Sequence, residues 1–168
     1  MHTIGCPLFC RFTRQIFAAM VGLAAGWASY PQAALAQQPD PVLEFLNTKA
    51  VDFLGGIGSE SGVDKSFEVL LTSSPLQNDQ GKMQMMVART KELRTKYGEF
   101  RKVTPVSSRR VGENLVLLKY LYECERYPVV WYFTYYRVFK ANETPRDTEN
   151  WVLVALRFDT DLESLAQD

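Results

Sequence analysis

Histidine and cysteine are scarce in this chain. The 168 residues contain a single histidine, His2, and three cysteines, Cys6, Cys10 and Cys124. Three of these four residues lie within the first 36, so the chemistry open to the protein depends on whether that segment is retained. Basic and acidic residues number 19 each, which leaves no excess of positive charge, and we expect no nucleic acid partner.

The first 36 residues have the pattern of a secretory signal peptide. Arg11 and Arg14 form a basic start, residues 16–28 are apolar or small, and Ala34 and Ala36 supply the small side chains of a cleavage site. An uncleaved membrane anchor is the alternative, but 13 residues give roughly 20 Å of helix, short of a hydrocarbon core of about 30 Å. We therefore predict cleavage after Ala36, no stable membrane anchor, and export to the periplasm or beyond the cell.

Cleavage would leave 132 residues, of which 17 are basic and 19 acidic, a net charge of −2. This length suits one α+β domain over residues 37–168, after a signal peptide over residues 1–36. Because no histidine would remain, Ser-His-Asp and Cys-His catalysis and zinc sites built on these residues are excluded, and we expect no metal and no cofactor. Cys124 would be the only thiol. We expect it to be buried as a small hydrophobe, with a reactive thiol or an intermolecular disulfide as alternatives.

Three helices are predicted in the first half of this domain. Asp40 followed by Pro41 indicates a helix start, and the glycines at 55 and 56 indicate its end. Apolar residues at helical spacing predict a second helix over residues 62–72 and a third that Gly98 ends. The apolar stripe of the third helix comprises Met83, Met86, Val87, Leu93 and Tyr97. We interpret this stripe as core packing rather than as an adaptable binding surface or a metal site.

The hydrophobic period changes from helical to alternating at Phe100. The predicted strands cover residues 100–111, 115–127, 129–140 and 151–159, with a polar loop over residues 141–150. Pro105 indicates that the first strand is bent or lies at a sheet edge. Three helices followed by about four strands predict an α+β fold, in which N-terminal helices pack on a curved, mainly antiparallel sheet.

The helical first half, the helix ending in Thr95, Lys96, Tyr97 and Gly98, and the last strand from Trp151 to Asp159 resemble the nuclear transport factor 2-like superfamily, in particular its exported bacterial domains. The resemblance covers roughly residues 41–160 and implies a cone-shaped α+β fold. One departure is that the short strand pair often found between the second and third helices has only residues 70–76 to supply it.

The third predicted strand is aromatic on both faces. One face carries Val130, Tyr132, Thr134, Tyr136 and Val138, and the other carries Val129, Trp131, Phe133, Tyr135, Arg137 and Phe139. Only one face can pack on the helices, so the aromatic residues of the other face indicate that a second surface buries them. The resemblance favours a homodimer through the sheet, and a different interaction partner is the alternative.

Polar side chains inside the apolar strands are the candidates for a small-molecule site. The predicted ligand-binding residues are Tyr120, Tyr132, Tyr136, Arg137 and Arg157. Ion pairing among the charged strand residues, or their solvation, is the alternative. The superfamily includes ketosteroid isomerase-like enzymes with an aspartate base and a tyrosine donor, and this resemblance makes Asp159, Glu123 and Tyr132 catalytic candidates.

The leading functional prediction is an exported, non-catalytic domain that binds a small molecule or a protein partner in the cell envelope. The alternatives are a histidine-free isomerase or lyase of the ketosteroid isomerase-like type and a purely structural homodimer. These three hypotheses differ in what the two faces of the sheet are expected to carry.

Overall fold

The computed structural model describes residues 40–139 and 150–166, so the predicted signal peptide and most of the predicted 141–150 loop lie outside the described residues. The helices are α1 (Pro41–Gly56), α2 (Val63–Leu71) and α3 (Gln80–Tyr97). The strands are β1 (Phe100–Val111), β2 (Leu115–Cys124), β3 (Val129–Arg137) and β4 (Trp151–Asp159). Short 3-10 helices occupy Glu60–Gly62, Pro75–Asn78 and Glu163–Ala166. The predicted α+β fold is confirmed.

Local capping explains where the helices begin and end. The Asp40 carboxylate accepts a hydrogen bond from the Val42 amide at 2.9 Å and Pro41 opens α1, as the sequence predicts. Gly98 follows α3 with a φ of 90°, and its amide donates to the Arg94 carbonyl at 2.9 Å. A Cβ at this position would lie 2.8 Å from the Glu125 Cβ. Glycine is therefore required for the chain to turn directly from α3 into β1.

The four strands form one antiparallel sheet in the order β1-β2-β3-β4, which is curved and unclosed. β1 is an edge strand, and its register with β2 shifts between Pro105 and Ser107, which confirms the predicted bend. β2 ends at Cys124, earlier than predicted. The reason is that the Glu125 and Arg126 amides donate to the carbonyls of Glu99 and Tyr97 instead of continuing the strand.

Strand alternation gives the sheet two faces of different environment. We call the face that packs on the helices the inner face, and it carries Tyr120, Tyr122, Trp131, Phe133 and Tyr135. The opposite side is the outer face, and it carries Leu117, Lys119, Tyr132, Tyr136 and Arg157. A register shift between Thr134 and Tyr135 keeps the inner residues of β4 opposite those of β3.

Aromatic contacts fill the space between the helices and the inner face. Phe53 of α1 lies edge-on to Phe67 of α2 at 5.0 Å between ring centroids, to Trp131 at 5.5 Å and to Phe133 at 5.9 Å. Trp131 and Phe133 are at most 1% exposed. Edge-to-face pairs of this kind stabilise a core beyond the burial of their area. The predicted stripe on α3 also joins this core, since Met83 and Leu93 are buried and its other members pack against them.

Candidate functional site

The structure divides the predicted site residues between the two faces of the sheet. Tyr120 and Arg137 lie on the inner face. The outer face carries Glu123, Tyr132, Tyr136, Arg157 and Asp159. The five predicted ligand-binding residues therefore do not meet in one pocket.

Tyr120 is part of the packed core. It is 1% exposed, and its ring lies edge-on to Phe133 at 5.9 Å between centroids. Its hydroxyl donates to Oδ1 of Asn47 on α1, and this oxygen also accepts a hydrogen bond from Ser108 at 2.9 Å. Burial raises the pKa of Tyr120 to about 12. The Tyr120 side chain thus joins α1 to the sheet, and its hydroxyl proton is already donated to Asn47.

Arg137 closes one end of the inner face. It is 7% exposed and lies opposite Trp151 in the β3-β4 register. Its amide donates to the Asn114 carbonyl at 2.9 Å, and its guanidinium lies 5.7 Å from the centroid of the Phe139 ring. This position separates Arg137 from Tyr132 and Arg157, which are also predicted ligand-binding residues.

At the end nearest the β1-β2 turn, the outer face carries a row of apolar side chains, with the exposed Arg109 beside it opposite Leu117. The strand register aligns four apolar side chains in a row across all four strands, namely Val111, Leu115, Tyr136 and Val152. Leu117 lies beside this row, and we call the five residues the outer patch. Val111 is 40%, Leu117 36% and Tyr136 41% exposed. Leu115 and Val152 are half-buried. The structure confirms that β3 carries aromatic residues on both faces, and part of the outer patch is exposed.

The other half of the outer face is covered by the chain itself. Residues 160–166, here called the C-terminal segment, return across the sheet after β4. The Lys119 ammonium donates to the Ser164 carbonyl at 3.1 Å, and the hydroxyls of Tyr132 and Ser164 share a hydrogen bond. Tyr127 donates to the Thr160 carbonyl at 3.3 Å. These contacts bury Lys119 to 9% exposure.

Two cations flank the ring of Tyr132 beneath this segment. The Arg157 guanidinium lies 4.1 Å from the ring centroid, and the Lys119 ammonium lies 6.0 Å from it. Cations within about 6 Å of an aromatic face are attracted by its quadrupole. Tyr132 and Arg157, two of the predicted ligand-binding residues, therefore lie next to each other. Their side chains already contact each other, and Tyr132 also contacts the C-terminal segment.

The two carboxylates proposed as catalytic candidates are engaged locally. Asp159 accepts a hydrogen bond from the Asp161 amide at 3.1 Å, at the start of the C-terminal segment. Glu123 accepts from the Thr104 hydroxyl at 2.7 Å and pairs with Lys102 at 3.3 Å. The Thr104 hydrogen bond first, and the Lys102 ammonium second, hold the pKa of Glu123 below its usual value. A lowered pKa weakens a carboxylate as a general base.

Within residues 40–139 and 150–166, no tyrosine hydroxyl is hydrogen-bonded to a carboxylate. The same residues contain no group of three histidine, cysteine, aspartate or glutamate side chains placed to hold a metal ion. No helix in this described part of the chain is both long and apolar enough to cross a membrane.

Three residues of the outer face, Leu115, Leu117 and Ser164, are absent from the site residues predicted from the sequence. Leu115 and Leu117 precede Lys119 at two-residue spacing, which already indicated an apolar outer side of β2. No local sequence pattern indicates the position of Ser164, because its contact with Lys119 joins residues 45 positions apart. No protein-family model, curated protein sequence or solved structure matches this chain. The geometry of the two faces is therefore the ground for a functional proposal.

Proposed function

We propose that the protein is an exported, non-catalytic binding module of nuclear transport factor 2-like architecture that pairs with a second copy of itself through the outer patch. The observation that carries this proposal is the contrast between a filled interior and a partly exposed apolar row that crosses all four strands. Export rests on the signal-peptide pattern of residues 1–36.

The composition of the outer patch favours self-association. The row through Val111, Leu115, Tyr136 and Val152 contains no charged side chain. In a two-fold dimer the same surface meets itself, so a charged row would place like charges together, whereas an apolar row does not. Contiguous apolar surface of this kind on a soluble protein typically marks an interaction site.

The C-terminal segment limits where a second copy can bind. It covers Lys119 and Tyr132 in the middle of the sheet, and Val130 in the next row is 0% exposed. The partner surface is thus confined to the outer patch and the exposed residues around it, such as Val138 at 38% exposure.

Multi-angle light scattering on the purified protein tests this proposal. We expect a particle of twice the chain mass, and we expect Leu117→Arg to convert it to a monomer because two-fold symmetry brings the new charges together in an apolar interface. The matched control is Val69→Arg, since Val69 is 67% exposed on α2, away from the sheet.

Val69→Arg is expected to keep the mass of the wild-type protein. A wild-type protein that is monomeric at every concentration, or a Leu117→Arg variant that stays dimeric, would contradict the proposal. Far-ultraviolet circular dichroism of both variants checks that each retains the fold.

A further inference from the structure

A groove lies between α1 and α2 and encloses about 370 Å³. Its lining residues fall between Lys49 of α1 and Leu70 of α2, and they include Ser59 and Gly62 of the connection between the two helices. The volume is at the lower end of the roughly 300–1,000 Å³ that small-molecule sites occupy. None of the predicted ligand-binding residues lines the groove, and neither does Cys124, which is half-buried where the sequence predicts full burial.

Two glycines set the spacing of the helices beside the groove. A Cβ at Gly56 would lie 2.2 Å from the Ser66 Oγ, and a Cβ at Gly62 would lie 2.2 Å from the Gly56 carbonyl oxygen. Side chains at these positions would push α2 and the connection away from the end of α1. Because Gly56, Gly62 and Ser66 all line the groove, its shape depends on this close approach.

The apolar lining of the groove extends from the core to the surface. Phe53 is 4% exposed, Leu70 is half-buried and Val69 is 67% exposed. Val69 is the most exposed of the large hydrophobic side chains within residues 40–139 and 150–166. An apolar chain in the groove would remove Val69 and part of Leu70 from water, which is favourable in proportion to the apolar area buried.

Three charged side chains line the groove, namely Lys49, Asp52 and Lys65, and all three are exposed. None of them forms an ion pair with a residue in the described part of the chain. The Lys49 ammonium lies 4.6 Å from the centroid of the Phe45 ring, a cation-π contact that leaves its charge without a carboxylate partner. Two cations against one carboxylate give the lining a net charge of one positive unit.

We propose that this groove binds a small amphiphile that carries one anionic group. Its apolar chain lies against Phe53, Val69 and Leu70, and its anionic group lies near the two lysines. The net positive charge of the lining favours an anionic group over a cationic one. Because the lysines are exposed and screened by solvent, we expect apolar contact to supply most of the affinity and charge to set the preference. The site shares no residue with the outer patch and does not depend on dimer formation.

Amide-detected two-dimensional NMR tests the site, with monomeric decanoate as the probe at low ionic strength. We expect saturable shifts at Phe53, Gly56 and Val69, and none at Leu117 or Tyr136. Decyltrimethylammonium has a comparable apolar chain with a cationic head group. It is expected to bind about two- to fivefold more weakly than decanoate, because the net charge of the lining repels it.

Substitutions in the lining assign the binding to particular side chains. The double variant Lys49→Gln, Lys65→Gln leaves Asp52 as the one charged residue of the three, so decyltrimethylammonium should become the tighter ligand. Val69→Ala should weaken both ligands alike, about two- to fivefold, because it removes apolar contact. Lys82→Gln is the matched control and should change neither affinity, since Lys82 is exposed on α3 and does not line the groove.

The proposal is overturned if decanoate causes no saturable shifts, or if the saturable shifts lie on the outer face. It is also overturned if decyltrimethylammonium binds the wild-type protein as tightly as decanoate, if the double lysine variant keeps the preference for decanoate, or if Val69→Ala changes neither affinity. Because these readouts report ligand binding, a failure here is distinguishable from a failure of dimer formation, which changes the particle mass.

Discussion

The inner and outer faces of the sheet belong to the same four strands but are covered in different ways. On the inner face the helices seal the aromatic residues, and Tyr135 is 2% exposed. On the outer face the C-terminal segment covers one half, and the next residue along β3, Tyr136, is 41% exposed. The difference shows that apolar alternation alone does not say which face holds the fold together and which remains available to a partner.

The largest expected effect concerns the inner face. Phe53 contacts the rings of Phe67, Trp131 and Phe133, so Phe53→Ala should leave a cavity at the centre of the core and lower the free energy of unfolding by about 3–5 kcal/mol. Urea unfolding followed by tryptophan fluorescence measures this change. Val69→Ala on the exposed side of α2 should change the stability by no more than about 0.5 kcal/mol.

A loss below about 1 kcal/mol for Phe53→Ala would mean that the interior can collapse or is not closely packed. In that case the contrast between a sealed inner face and a partly exposed outer face would fail. A cavity between the helices and the inner face would then be the favoured ligand site.

The second prediction uses alkaline pH to test the burial of Tyr120 on the inner face. Burial raises the pKa of Tyr120 to about 12 from an ordinary value of 10.0, so the folded state holds a proton that the unfolded state has lost between these pH values. Stability should therefore be fully present below about pH 10 and should fall as the pH rises toward 12. Urea unfolding at a series of pH values measures the slope.

Tyr120→Phe should reduce this alkaline slope, because it removes one of the buried inner-face hydroxyls. An alkaline slope that is unchanged in Tyr120→Phe would show that the Tyr120 hydroxyl is not buried as described.

The smallest expected effect concerns the covered half of the outer face. Ser164→Ala removes the side-chain hydrogen bonds to Tyr132 and to the Asp161 carbonyl but keeps the backbone carbonyl that Lys119 contacts. The expected loss is about 0.5–1 kcal/mol in the free energy of unfolding, with no change in particle mass, because the outer patch is not altered. A change in mass would instead show that the C-terminal segment takes part in pairing.

Local patterns predicted the elements of this fold well. The Asp40-Pro41 cap, the break at Gly98 and the bend at Pro105 each depend on the conformational preferences of one or two residues, and all three are found in the structure. Strand periodicity also predicted correctly that Tyr132 and Tyr136 share a face.

Which predicted site residues lie near each other could not be predicted from local sequence patterns, because it depends on contacts between strands. Tyr120 and Tyr132 lie on opposite faces, because the register between β2 and β3 places Lys119, and not Tyr120, opposite Tyr132. Register depends on pairing between strands and is not visible within one strand. The return of the C-terminal segment over Lys119 is likewise a long-range contact.

Thermal unfolding of Tyr135→Ala and Tyr136→Ala at several protein concentrations tests the division between the faces most directly. These neighbours on β3 differ in face, and a dimer that stabilises the folded state makes Tm rise with protein concentration. We predict that Tyr135→Ala lowers Tm at every concentration and keeps this dependence, whereas Tyr136→Ala abolishes the dependence. A Tyr136→Ala variant whose Tm rises with concentration as in the wild-type protein would contradict the account.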